Sequence, residues 1–272
     1  MQKQLITGLE PGEVSKYVLL CGEPERVPKI ASSLSGSTKV RQAREFTVHG
    51  GSLDGTPVTV ASTGIGGPST AVLIEELANL GAHTFIRIGT SGGVADGLEK
   101  GDFVISTGAI RADGTSRSYT WPEYPASANH EVVLALIDSA QRLKARFDVG
   151  VSFSVDGFYS ENKVIKDGRV APMAENGYMP SFMADRLADV KRMGVKNMEM
   201  ENGTIFTLCG LFGLRAGSIC TVSDVVPWHP TEKVIDFEQS MADCIKVGVE
   251  GMRTVIKWDS VKKSSKFWSP SL

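Results

Sequence analysis

The sequence predicts an α/β fold in a single domain: three layers, α/β/α, around a central, mainly parallel mixed sheet. Three observations predict it. Short runs of β-branched and apolar residues alternate with helical patterns almost from end to end. Those runs are apolar throughout, as strands covered on both faces are. Glycines gather just after the first three runs, where an open α/β sheet binds its ligands.

The elements follow in order. A strand over residues 17–21 leads to a helix opening at Pro24, and a strand over 58–62 leads to one opening at Pro68. Proline is favoured in the first helical turn, where its missing N–H has no partner to lose. The second helix sets Ala71, Ile74, Leu77 and Ala78 on one face and stops at Gly81. Further strands are expected over 84–88, 103–107, 149–154 and 217–222, each four to six residues closed by glycine or polar groups. Helices are expected over 131–144, 180–193, 198–212 and 237–257. In the last, Met241, Ile245, Met252, Val255 and Ile256 form a core-facing stripe. No repeat, low-complexity linker or composition shift divides the chain, so residues 1–256 are expected to be one domain. Residues 257–272 form a lysine-rich tail without periodicity, expected to fray or to dock Trp258, Phe267 and Trp268 on a neighbouring surface.

Composition narrows the function. With 29 Lys and Arg against 31 Asp and Glu in 272 residues, the net charge of -2 excludes a broad basic face for nucleic acid. Cys21, Cys209, Cys220 and Cys244 lack CxxC spacing and sit in apolar runs, which reads as reduced, buried thiols. The first residues carry no signal-peptide core, and no uncharged stretch of about 18 apolar residues suggests a membrane span. A cytoplasmic protein with no membrane partner is expected.

The 29 glycines are placed, not scattered. Gly22 falls in CGEPERV (21–27), Gly64, Gly66 and Gly67 in STGIGGPST (62–70), and Gly89, Gly92 and Gly93 in RIGTSGG (87–93). Each is read as a strand-end loop that lets backbone approach a ligand. Arg26, Arg44 (in REF, 44–46) and Arg87 lie beside them, and Arg87 interrupts an otherwise uncharged strand. A buried guanidinium needs a counter-charge, which a phosphate dianion or a nearby carboxylate supplies. No loop matches GxxxxGK[ST] or GxGxxG, so neither a triphosphate nor a dinucleotide cradle is indicated. In MEMENG (198–203), Glu199 and Glu201 flank Met200. They suit either a sugar diol packed on Met200 or the positive end of a helix. His49, His83 and His130 show no metal spacing, while Trp228 and His229 follow the last strand where they would line a pocket.

Together these five motifs resemble the nucleoside phosphorylase-I family, and its uridine phosphorylase branch most of all, from about residue 10 to 256. The resemblance implies a nucleoside phosphorylase-like fold and phosphorolysis of a nucleoside to free base and (deoxy)ribose 1-phosphate. It implies orthophosphate as co-substrate and no organic cofactor. Phosphate would be held by Gly22, Arg26, Arg87 and Thr90, with Arg44 reaching from a neighbouring subunit. Ribose would be held by Thr90, Met200 and Glu201, and the base by Phe158, Asn162, Ser223 and Asp224. Arg87, Glu201 and Asp224 would carry the catalysis. A homodimer, or a hexamer built as a trimer of dimers, is implied, with a monovalent cation such as K+ at Glu45, Ile65 and Ser69.

The sequence departs from the uridine branch where the base is read. Phe158 and Tyr159 match, but Asn162 and Val164 replace a glutamine and an arginine, in a segment about two residues short. Lys163, Lys166 and Arg169 are the nearby substitutes. Val226 replaces a further arginine, and Ile6 replaces a histidine that would meet the ribose 5′-hydroxyl. Ser223–Asp224 matches instead the acid of purine phosphorylases and nucleosidases. Uridine is the expected substrate. The alternatives are a purine nucleoside with Asp224 as general acid, a nucleosidase, or an inactive nucleoside-binding homologue.

Overall fold

The first strand, β1 (Tyr17–Cys21), is wholly buried, and its side chains sort by parity into two cores. Tyr17, Leu19 and Cys21 enter one, with α1 (Arg26–Ala31), α4 (His130–Arg142) and α8 (Phe237–Val261). Val18 and Leu20 enter the other, with α2 (Gly67–Asn79) and α7 (Asn202–Leu211). That division is the period-2 pleat of a strand covered on both faces, and it produces the expected three layers. The computed structural model describes residues 2–225 and 234–262. Val226, Trp228, His229, Phe267 and Trp268 lie outside the described residues.

Between these elements run β2 (Ser35–Ala43), β3 (Phe46–Leu53), β4 (Thr56–Ser62), β5 (Thr84–Gly93), β6 (Phe103–Arg111), α3 (Gly114–Tyr119) and β7 (Ala126–Ser127). After α4 come β8 (Phe147–Ser154), α5 (Phe158–Glu161), β9 (Lys163–Lys166), β10 (Arg169–Pro172), α6 (Ser181–Arg192), β11 (Asn197–Glu199), and, beyond α7, β12 (Arg215–Asp224). The main sheet has ten strands, in the order β11-β8-β6-β12-β5-β1-β4-β3-β2, with β7 on β6. It is mixed: β4, β1, β5 and β12 are parallel, while β3 is antiparallel to β4 and β2 antiparallel to β3. β11 also pairs with β5, so five strands close into a small barrel at one end of the sheet.

Several boundaries differ from the sequence reading for identifiable reasons. RIGTSGG is not a loop: β5 continues through it to Gly93, paired with β12 along its length. The expected helix from residue 198 begins at Asn202, because β11 occupies the residues before it. α8 runs past Lys257 to Val261, held there by Asp259. The strands β2 and β3 were not expected, since β2 is an edge strand whose residues stay exposed or half-buried and carry Lys39 and Arg41. All four cysteines are free and buried. Among the described residues no helix is long and apolar enough to cross a membrane.

Candidate active site

β5 exchanges partners along one edge, and the exchange opens a gap. β1 pairs with it up to Arg87, and β11 takes over only at Gly92. Ile88–Ser91 therefore face the place where β1 ends at Cys21 ahead of Gly22, and where β11 continues into Met200 and Glu201. A crevice at such a change of strand partner is where α/β sheets bind ligands.

Arg87 lies at the floor of this gap, 4% exposed. Its Nη2 pairs with Glu201, and its Nε lies 3.6 Å from Glu199 Oε2. The alternation read in MEMENG thus brings both carboxylates to one guanidinium, and Met200 packs against the apolar cluster beside them. Burial opposes the charge on Arg87, but Glu201 and Glu199 outweigh it and hold the guanidinium firmly protonated. Burial also pushes the Glu199 carboxyl above the usual carboxylate range, with Arg87 pulling the other way. Glu199 caps a helix as well: its Oε2 accepts N–H groups from Glu201 and Asn202, each at 2.8 Å. This is the helix-terminus reading of the pair. Glu201 reaches the next loop too, its Oε1 accepting the Gly66 N–H at 2.6 Å.

Arg87 Nη1 is buried and has no hydrogen-bond partner among the described residues. An orphaned buried donor of this kind calls for a ligand or solvent acceptor. The space above the guanidinium exists because residue 89 is glycine. A Cβ there would stand 2.8 Å from Arg87 Cζ.

The loops after β1 and β4 are tied together, with Thr63 N–H donating to Cys21 O at 2.7 Å and Gly64 N–H to Gly22 O at 3.0 Å. Arg26 is buried there and pairs with Glu23 at 2.8 Å. Cys21 adjoins this group, but burial pushes its thiol up to about 12, so it remains neutral beside the two arginines. Thr90, half-buried on β5, lies in register with Thr221.

Arg44 departs from the buried group expected from sequence. It is exposed at the turn joining β2 and β3, at φ 54°, and makes no ion pair among the described residues. Glu45 beside it leans on Gly64, whose Cβ would meet Glu45 Cγ at 2.8 Å and Ser69 Oγ at 3.1 Å. Gly64 also holds φ +71°. Ile65, 79% exposed, accepts a hydrogen bond from Ser69 Oγ through its carbonyl at 3.2 Å. Glu45, Ile65 and Ser69 are thus brought together on the surface. Ile6 packs on the core over α2, its N–H donating to Glu76 Oε1 at 2.8 Å.

At the other end of the gap, Ser223 Oγ lies 3.2 Å from both Ser91 O and Asp224 Oδ2. Asp224 sits in register with Gly92, where a Cβ would be 3.6 Å from its Oδ1. Phe158 and Tyr159 are exposed, their rings edge-to-face at 5.2 Å. Asn162 does not face the gap as a free amide, since its Nδ2 donates to Phe158 O at 2.6 Å and closes α5. Lys163, Lys166 and Arg169 lie on the β9–β10 hairpin, outside the main sheet. Sequence reasoning missed Glu161 and Arg186, an ion pair at 3.6 Å beside α5. Burial raises the Glu161 carboxyl, while Arg186 and the Gly157 N–H pull it down. A cavity of about 490 Å³ between α4 and α8, lined by Phe103, Lys144, Arg146 and Asp243 among others, shares no residue with this gap.

The model of the phosphorylase superfamily matches residues 16–255. The chain is 41% identical over 265 residues to a uridine phosphorylase of Thermococcus kodakarensis, covering 97% of this chain and 91% of that one. It is 38% identical over 237 residues to the uridine phosphorylase of Escherichia coli, covering 86% and 90%. It is 36% identical over 222 residues to a guanosine phosphorylase of Halorubrum lacusprofundi, covering 82% and 83%. With a family match over nearly its whole length and relatives about 40% identical over most of it, this chain belongs to the phosphorylase superfamily.

Proposed function

We propose that the chain is a nucleoside phosphorylase, a pentosyltransferase that cleaves uridine with orthophosphate to uracil and ribose 1-phosphate. The observation that carries the reading is the buried Nη1 of Arg87, without a hydrogen-bond partner among the described residues, beside the space left by Gly89. Phosphate takes that donor together with Gly22, Arg26 and Thr90, and Glu201 and Met200 hold the ribose. As the C1′–N bond breaks, its electron pair leaves with the base and positive charge grows on the sugar. The phosphate dianion stabilises that charge and forms the new C1′–O bond. Arg87 and the backbone N–H groups fix the anion in place beforehand, so catalysis is mainly positioning and electrostatics.

The exposed position of Arg44 supports its reaching the site of a second copy in a homodimer, or in a hexamer of such dimers. Glu45, Ser69 and the Ile65 carbonyl present hard oxygen donors on the same surface, which fit an alkali cation such as K+ shared between copies. The cation would fix the hairpin tip that carries Arg44. The role in the cell is nucleoside salvage, with no organic cofactor and in the cytoplasm.

A second reading rests on Asp224: as general acid it would protonate a departing purine. Uridine and guanosine, the nucleosides in the relatives' names, share a ring N–H beside a carbonyl. Base release from uridine, thymidine, inosine and adenosine, with and without phosphate, tests both readings. Phosphate-dependent release from uridine is expected. Equal release without phosphate would mark a nucleosidase, and binding without turnover an inactive homologue.

A further inference from the structure

Of the positions where the uridine branch carries a glutamine and an arginine, Asn162 closes α5 and Val164 lies on the β9–β10 hairpin. At the carboxyl end of β8 stands an ion pair that the chemistry above does not use. Glu161 is buried, its Oε1 accepting the Gly157 N–H at 3.3 Å, while Oε2 has no hydrogen bond among the described residues. Gly157 lies close against the pair: a Cβ there would stand 2.4 Å from Ser160 Oγ and 3.0 Å from Glu161 Oε1. Arg186, on α6, lies 3.6 Å from Glu161 Oε2, its guanidinium carbon 4.8 Å from the centre of the Phe153 ring.

Phe153 ties this pair to the gap in β5. Phe153, Met198, Gly92 and Asp224 are successive register partners across β8, β11, β5 and β12. Met200 packs on the same apolar cluster as Phe153 and Met198. The row therefore has Asp224 at one end, the Glu161–Arg186 pair at the other, and the proposed ribose contact beside it.

We propose that Glu161 and Arg186 are the base-reading pair, accepting a ring N–H and donating to the carbonyl next to it. The assignment rests on the nucleoside phosphorylase reading. Uracil offers N3–H between two carbonyls, and hypoxanthine and guanine offer N1–H beside O6. Cytosine and adenine instead turn a nitrogen lone pair toward the carboxylate and amino hydrogens toward the guanidinium. A site built to pair polar edges rejects such a mismatch strongly, because its buried groups are left without partners. The pair thus selects the oxo base whatever the ring size.

The test uses full-length wild type, Glu161→Gln and Arg186→Ala, with phosphate-dependent rates on uridine, cytidine, inosine and adenosine and the KM for phosphate. Wild type is expected to favour uridine over cytidine, and inosine over adenosine, by at least ~100-fold. Arg186→Ala should lower kcat/KM for the favoured nucleosides by ~10–100-fold, with the phosphate KM unchanged. Glu161→Gln, whose amide offers N–H to a lone pair, should narrow the uridine-to-cytidine ratio at least ~10-fold. If Glu161→Gln is inactive, calorimetric binding of uracil against cytosine in phosphate gives the same ratio. An unchanged ratio in both variants, or a wild type without the preference, overturns the pair's role and leaves phosphorolysis standing. A wild type that releases no base from any nucleoside overturns the phosphorylase reading, and this assignment with it.

Discussion

At the scale of single residues, Arg87 carries two burdens that are usually separate. It neutralises Glu199 and Glu201 in a buried cluster, and its Nη1, without a hydrogen-bond partner among the described residues, is the donor proposed for phosphate. Arg87→Ala should therefore abolish phosphorolysis, a loss of at least ~10³-fold in kcat/KM for phosphate. It should also cost about 3–5 kcal/mol of stability, since two carboxylates lose their counter-charge. Urea unfolding beside kinetics separates the two effects, and wild-type rates would mean that phosphate binds elsewhere. Asp224→Asn should lower inosine turnover by ~10²–10⁴-fold and barely change uridine, if the acid serves only purines. Equal losses on both nucleosides would assign Asp224 to structure. The arginines, glycines and glutamates were legible in the sequence because a charge or a glycine inside an apolar strand is a local anomaly. Glu161 and Arg186 are 25 residues apart and ordinary in their own helices, so only the fold reveals that they meet.

At the scale of elements, β5 decides the geometry. Its glycines permit a strand to pass where a loop was expected, with one position shaped to a side chain two residues away. Gly89→Ala would press a methyl group against the Arg87 guanidinium, 2.8 Å from Cζ. Overpacking of this kind costs about 1–3 kcal/mol. The KM for phosphate should rise while the far-ultraviolet circular dichroism stays that of the wild type. An unchanged KM would show that Arg87 need not hold its present rotamer. Most of the central elements were readable, since β1, α2, α4 and α8 carry unbroken apolar runs or helical stripes. β2 and β3 were not, because an edge hairpin has little apolar pattern. β11 was hidden too: three strand residues ahead of a helix resemble the start of that helix.

The molecule as a whole is held at the end of the sheet away from the gap. Arg215 donates to Asp259 Oδ1 at 2.9 Å and to Glu131 Oε2 at 2.8 Å, while Tyr17 donates to Asp259 Oδ2 at 2.8 Å. Lys262 joins both carboxylates. Burial pushes the Asp259 carboxyl up, but Arg215, Tyr17 and Lys262 outweigh it and hold it well below its ordinary value. The stability from this network is therefore present above the unfolded pKa of about 3.9 and is lost as pH falls below it. Urea midpoints measured from pH 5 to pH 2 should fall steeply below about pH 4 in wild type and less steeply in Asp259→Asn. Parallel curves would place acid sensitivity elsewhere. Quaternary structure has its own test. If Arg44 serves a neighbouring site, mixing inactive Arg44→Ala and Arg87→Ala subunits should restore about a quarter of wild-type activity through hybrid dimers with one intact site. Activity that stays at the level of the separate variants would confine the site to one chain.

By itself the sequence determined the fold class, the two-faced strands, the glycine turns after β1 and β4, and the charged residues Arg87, Glu199 and Glu201 that meet beside β5. These follow from local periodicity and from the cost of a buried charge, which any short segment displays. Only the tertiary structure decided that β11 closes a barrel on β5, that Arg87 pairs with Glu201, that Arg44 stands exposed, and that Glu161 meets Arg186. Those outcomes depend on strand register and on contacts between distant segments. Neither is written in the spacing of neighbouring residues.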